Sequence, residues 1–193
     1  MGMPIDDPIA LFSTLYAQAG RELPESDAMV LATVDPGGRP SARYVLLKEF
    51  DARGFVFYTN LESRKAKALA VHPYAALTFY WPPATQVRIE GEVERVSDAD
   101  GDAYFATRPR GSQIGAWASA QSAPLASRQA LDQRVAEFER RFEGAPVPRP
   151  EFWNGFRVVP SSIEFWTRDP VRLHERVSFE RDGDGWKRSL LFP

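Results

Sequence analysis

Short apolar runs broken by tight-turn signals constrain this chain more than any other feature. AMVLATVD (28–35), SARYVLLKEF (41–50), FVFYTN (55–60), YAALTFYW (74–81) and QVRIEGEVERV (86–96) are rich in β-branched and aromatic residues, which pack well on a pleated surface. Pro36-Gly37-Gly38, Asp51-Ala52-Arg53-Gly54 and Pro82-Pro83 separate them, and such residues favour the backbone angles of tight turns. The first three runs predict an antiparallel meander. In 86–96, Val87, Ile89, Gly91, Val93 and Arg95 share one face, and Arg88, Glu90, Glu92 and Glu94 share the other. That alternation predicts a sheet with one wet face. Four more strands are expected near the C-terminus, GFRVVP, SSIEFWT, VRLHERVSFER and GWKRSLLF, with Asp182-Gly183-Asp184-Gly185 as a hairpin turn.

Helical patterns lie between the strands. Residues 7–20 carry Asp7 as a cap, Pro8 at the first position and Gly20 as a stop, with Ile9, Leu11, Phe12, Leu15 and Tyr16 on one buried face. Residues 63–72 start at Ser63 and end before Pro73, and 97–108 form a short capped helix. Residues 126–144 are amphipathic, with Leu131, Val135, Phe138 and Phe142 inward. Residues 108–124 are rich in small and polar types and read as irregular. The sum is one α+β domain over 1–193, an antiparallel, Greek-key-like barrel with flanking helices. No GxGxxG or GxxxxGK[ST] motif supports nucleotide binding of those kinds.

Composition narrows the chemistry. With no cysteine, thiolate metal sites, disulfides and cysteine nucleophiles are excluded, and His72 and His174, the two histidines, make a His-rich metal site a poor expectation. The net charge of -2 lacks the basic excess of a general nucleic-acid surface. The N-terminus has no basic and apolar leader pattern, and no apolar run approaches the ~18 residues of a membrane span. A soluble cytoplasmic protein is the expectation.

Four clusters could carry chemistry. Arg43 and Lys48 flank an apolar run, an odd number of residues apart. On a regular strand they point to opposite faces, either as solvated charges or as holders of two different anions. Tyr58, Thr59, Ser63, Arg64 and Lys65 span a strand end and a helix start, where free N–H groups favour an anion and disfavour bare cations. Tyr104, Arg108, Arg110 and Ser112 precede a loop holding Gln121 and Ser122, a good vocabulary for an oxyanion and equally for a surface loop. Arg172, His174 and Arg176 follow Trp166. On a strand they share one face, as a functional stripe or a solvated edge.

Together these clusters resemble the pyridoxamine 5'-phosphate oxidase family in order and spacing. RxVLLK, FYTNxxSRKA, RPRxSQIGAWxSxQS, FWxGFRV, IEFW and RLHxR are all present between about Asp7 and Pro193. Each is modest alone; the ordered set is highly specific. The resemblance implies a homodimer of split β-barrels with FMN at the subunit interface. It implies flavin contacts at Arg43, Lys48, Tyr58, Thr59, Arg64, Lys65, Gln86, Gln121, Ser122, Trp166 and Arg176, part of them given across the dimer. Lys48, Tyr104, Arg108 and Ser112 match residues that hold the substrate phosphate. Arg172 and His174 match those that cover the pyridine ring and serve catalysis. The implied reaction oxidises C4' of pyridoxamine or pyridoxine 5'-phosphate to pyridoxal 5'-phosphate, with O2 consumed, hydrogen peroxide formed and ammonia released from the amine.

The chain departs from the family pattern in three places. It begins just before the first helix, so the family's N-terminal Arg/Tyr lid is expected to be missing. The turn after Trp81 is one residue short, with Thr85 where an arginine commonly precedes Gln86. Glu25 stands near a position where an acidic residue approaches the site. Three other readings compete: a same-fold flavin oxidase of another reduced aromatic ring such as a dihydrophenazine, a non-catalytic FMN or pyridoxal-phosphate binding protein, and a structural barrel that binds nothing.

Overall fold

The computed structural model describes residues 6–193. Helix α1 (Pro8–Glu22) begins where Asp7 accepts a hydrogen bond from the Ile9 amide. It does not stop at Gly20 but runs one half-turn on, to the Leu23 cap, so Gly20 sits inside the last turn. Its Phe12 is fully buried against the rings of Phe50, Phe55 and Phe79 at 4.9–5.2 Å between centroids. Burying such a ring contributes about 2–3 kcal/mol.

Strands β1 (Ala28–Val34) and β2 (Pro40–Leu46) form a hairpin. The second predicted strand then breaks: β3 (Glu49–Asp51) pairs with β4 (Gly54–Asn60), not with the first hairpin. The expected three-strand meander is therefore two hairpins joined at a corner. The Leu47 amide bonds to Asp27 O on one side, and the Lys48 amide bonds to Val56 O on the other. Adjacent residues thus tie the two ends of the curled sheet together, and buried Leu47 anchors the corner.

Helix α2 (Arg64–Val71) is capped by Ser63 as expected. Strands β5 (Tyr74–Trp81) and β6 (Thr85–Arg95) form the next hairpin, with Val87, Ile89 and Gly91 inward. Helix α3 (Asp98–Thr107) follows. It is succeeded by α4 (Arg110–Ala118), where an irregular segment was expected, and by α5 (Arg128–Arg141). Val135, Phe138 and Phe142 of the α5 region pack on a small second core around Phe105, Ile114 and Trp153.

The C-terminal part has three strands, not four. β7 (Trp153–Thr167) runs straight through Pro160, and β8 (Glu175–Asp182) pairs with β9 (Gly185–Leu190). One edge of β7 pairs with β6 from Phe156 to Thr167. Its other edge pairs with β4 up to Val158 and with β8 from Ser162. Pro160 stands in the gap between those two partners, where a missing N–H breaks no ladder. A bulge at the same place, opposite Glu90 and Gly91, bends the strand. The sheet order is β2-β1-β5-β6-β7-β4-β3, with β8 and β9 branching from β7. Among the described residues, no helix is long and apolar enough to cross a membrane.

Candidate active site

The strand break at Leu46 decides the site. Arg43 and Lys48 do not point to opposite faces, because the corner re-aims Lys48; both line one cavity of about 580 Å³. Tyr58, Thr59, Lys65, Tyr104, Arg108, Ser112 and Gln121 line it too. Nine of the sequence-predicted residues therefore converge. Arg64 and Ser122 line a neighbouring cavity of about 630 Å³ that meets the first at Gln121.

A hydrogen-bond chain organises one end. Lys65, nine-tenths buried, donates to Thr59 Oγ1 at 3.0 Å, and Thr59 donates to Gln121 Oε1 at 3.0 Å. The Arg64 amide donates to Ser122 Oγ at 3.2 Å, with Ser122 held at φ 74. Arg43 donates to Leu31 O, Thr33 and Ser41. Burial pushes the Lys65 ammonium below its ordinary range, and the Arg43 charge adds to this. Burial, then Arg64, does the same to Arg43. Cations held this way gain from an anion between them. Cationic, hydroxyl and amide donors fit the phosphate and hydroxylated side chain of FMN.

The other end carries aromatic plates. Tyr58 stacks on Tyr104 at 4.0 Å and on Trp153 at 5.3 Å. Gly155 makes this possible, since an added Cβ would meet the Tyr58 ring at 2.8 Å. Tyr58 donates to Glu49 at 3.1 Å, and burial followed by the Glu49 charge raises its phenol strongly. Lys48 pairs with Asp27 at 2.9 Å. The Arg108 guanidinium lies 4.5 Å over Trp153, and its NH1 is buried with no hydrogen-bond partner. Burial pushes Arg108 down while the neighbouring Tyr104 opposes that. Ser112, Gly115 and Ala116 form the cavity-facing side of α4, and its C-cap Ser119 continues that side. Buried Ile114 and Ala118, four residues apart, are the apolar spacing that could have marked this segment as helical. Trp153 and Asn60 also line the cavity without having been singled out.

The remaining predicted residues gather elsewhere. Gln86 pairs with Trp166 across β6–β7, and Trp166 with Arg176 across β7–β8, making one row on one sheet face. Arg176 makes a two-pronged pair with Glu164 at 2.8 and 3.1 Å. Its guanidinium is raised by that hydrogen bond and charge. Arg172 and His174 are not on a strand: β8 starts at Glu175, and Arg172 sits in a turn at φ 69. The expected Arg172/His174/Arg176 stripe is thus a turn followed by one strand residue. His174 lies 4.6 Å from the Trp166 ring. None of these five lines the first cavity.

A curled antiparallel barrel with a cation-lined cleft whose donors fit a phosphorylated cofactor points to the class of FMN-binding split-barrel oxidoreductases. Residues 17–142 match the family described as pyridoxamine 5'-phosphate oxidase, and residues 153–193 match the pyridoxine 5'-phosphate oxidase C-terminal dimerisation region. The chain belongs to the pyridoxamine 5'-phosphate oxidase family. It is 58% identical over 189 residues to a pyridoxine/pyridoxamine 5'-phosphate oxidase of Myxococcus xanthus, covering 97% of this chain and 92% of that protein. The structure of PhzG from Burkholderia lata 383, in complex with tetrahydrophenazine-1-carboxylic acid, superposes with a TM-score of 0.92 at 33% identity, covering 98% and 94% of the two chains. A pyridoxamine 5'-phosphate oxidase-related, FMN binding protein from Nostoc punctiforme shares the fold, with a TM-score of 0.78 at 18% identity over the whole of both chains. The dimerisation region makes the chain a homodimer.

Proposed function

We propose that this chain, with FMN as cofactor, oxidises pyridoxamine or pyridoxine 5'-phosphate to pyridoxal 5'-phosphate, with O2 as electron acceptor and the cytoplasm as its compartment. The observation that carries this reading is the buried, unpartnered NH1 of Arg108, in a cavity it shares with Lys48, Tyr104 and Ser112. A buried donor without an acceptor is rare, and a substrate phosphate supplies one.

Bound FMN supplies the hydride acceptor and the electron route to oxygen. Arg43, Arg64 and Lys65 hold its phosphate end, and Tyr58, Thr59, Gln121 and Ser122 line its length. Lys48 stands between the two ligands and serves both. Tyr104, Arg108 and Ser112 fix the substrate phosphate and thereby the distance of C4' from the flavin, which is an orientation effect. Arg172 and His174 cover the substrate ring. The row Gln86, Trp166 and Arg176 of one protomer completes the flavin site of its partner, which accounts for its separation from the first cavity within one chain.

The likeness to PhzG favours a second reading, oxidation of a reduced phenazine ring. The phosphate-binding set and the higher identity to curated B6-phosphate oxidases favour the first. The test is a flavin-loaded assay with pyridoxamine 5'-phosphate and pyridoxine 5'-phosphate, following pyridoxal-phosphate absorbance and peroxide together. Turnover of either is expected. A yellow dimer that is reduced by neither, but is reduced by a dihydrophenazine carboxylate, would transfer the assignment to the second reading.

A further inference from the structure

The turn between β7 and β8 is built around one residue. Asp169 Oδ1 accepts the Val171 amide at 2.9 Å and the Leu173 amide at 3.2 Å. The Asp169 carbonyl accepts the Arg172 amide at 3.2 Å. The Asp169 amide in turn donates to His174 Nδ1 at 3.1 Å. Four hydrogen bonds therefore run between Asp169 and the next five residues. Aspartate is suited to this, because its short carboxylate mimics a turn carbonyl.

Two consequences follow for the residues it organises. Arg172 is held at φ 69, a left-handed conformation that a non-glycine residue adopts only when its surroundings impose it. His174 accepts an N–H at Nδ1, so its neutral ring carries the proton on Nε2. The Trp166 ring, 4.6 Å away, limits the imidazole from another side. Val171 and Leu173 are exposed, so the hydrogen bonds rather than packing hold the turn.

We propose that Asp169 is the positioning residue for Arg172 and His174. It presets the left-handed turn at Arg172 and the Nε2–H tautomer of His174, so that His174 meets the substrate ring as a hydrogen-bond donor. This rests on the reading of Arg172 and His174 as the pair that covers the substrate.

The test uses the FMN-loaded dimer labelled with 15N-histidine. The chain has two histidines, and His72 is exposed outside the site, so two imidazoles are resolved and one is an internal reference. Long-range 1H–15N correlations in alkaline buffer should show His174 protonated at Nε2. Asp169→Ala keeps the backbone amide that donates to Nδ1 but loses the carboxylate that holds the turn against it, so the two tautomers should mix. Its kcat with pyridoxamine 5'-phosphate should fall roughly 10- to 100-fold, with flavin content unchanged and KM within about threefold. Asp169→Asn, which keeps the Oδ1 acceptor, should retain both the tautomer and most of the turnover. A wild-type His174 protonated at Nδ1 would overturn the proposal without any variant. So would an Asp169→Ala enzyme with unchanged tautomer and turnover. A wild-type enzyme that turns over neither vitamer phosphate sinks the functional reading instead, while the tautomer measurement still stands.

Discussion

Burying Arg108 sets two effects of similar size against each other. Its stacking on Trp153 at 4.5 Å contributes about 1–2 kcal/mol, whereas its unpaired buried NH1 costs about 1–3 kcal/mol. Arg108→Met keeps the stem and removes both, so urea unfolding of the flavin-free protein should change by less than about 1 kcal/mol. The lost charged hydrogen bond should raise KM for pyridoxamine 5'-phosphate roughly 10- to 100-fold. An unchanged KM would take Arg108 out of the phosphate site. Lys65 gives a pH prediction with a definite sign. Its folded pKa lies below the ordinary 10.5, so between those two values the folded state binds fewer protons than the unfolded one. Stability attributable to Lys65 therefore rises with pH through that window. On the proposed role of Lys65 at the flavin phosphate, flavin affinity should move the other way, because the charged ammonium is the form that pairs with phosphate. Measuring wild type against Lys65→Met cancels the raised tyrosines, and the wild type should gain stability relative to the variant as pH rises towards 10.5. At this scale the sequence was legible where residue type alone marks a candidate, as at Arg43 and Lys65, which the structure places on the cavity wall. It was not legible where geometry decides: nothing in RYVLLK says that its two cations share a cavity.

Elements whose ends are set by local residues matched expectation: Asp7, Ser63 and Ser97 cap their helices. Elements whose ends are set by distant partners did not. The break at Leu46–Lys48 exists because Asp27 and Val56 lie on either side of it. Pro160 passes for a turn until its place between β4 and β8 is known. Residues 108–124 carry only Ile114 and Trp117 as large apolar residues, because α4 turns small side chains, Ser112, Gly115 and Ala116, to the cavity, which leaves the apolar stripe too short to read as a helix. The bulge tests this account. A Cβ on Gly91 would collide with the Val159 carbonyl and the Pro160 backbone, which cannot retreat without breaking β6–β7 pairing. Gly91→Ala should therefore destabilise by about 3 kcal/mol or more, read as a lower urea midpoint. A variant with wild-type stability would mean the strand bends without this close approach.

Within one chain, the cation-lined cavity and the Gln86–Trp166–Arg176 row are separate, yet the resemblance assigns both to one cofactor. A two-fold dimer reconciles them if each cleft is closed by the other protomer's row. Two-fold symmetry then makes two identical sites, each with one half from each chain. Consider a chain carrying Arg43→Ala, which damages its cavity, and another carrying Trp166→Ala, which damages its row. Each homodimer has two defective sites. In the mixed dimer one site collects both lesions and the other collects neither. Random mixing makes half the dimers mixed, so about a quarter of all sites should regain activity. Unfolding and refolding the two variants together, then measuring turnover and bound flavin, reads this directly. If the cavity and row instead met within one chain, every site would carry a lesion and mixing would restore nothing. Recovery near a quarter would place the flavin between subunits and explain why the chain carries a dimerisation region at all: without the partner, each barrel holds only half of its own cofactor site.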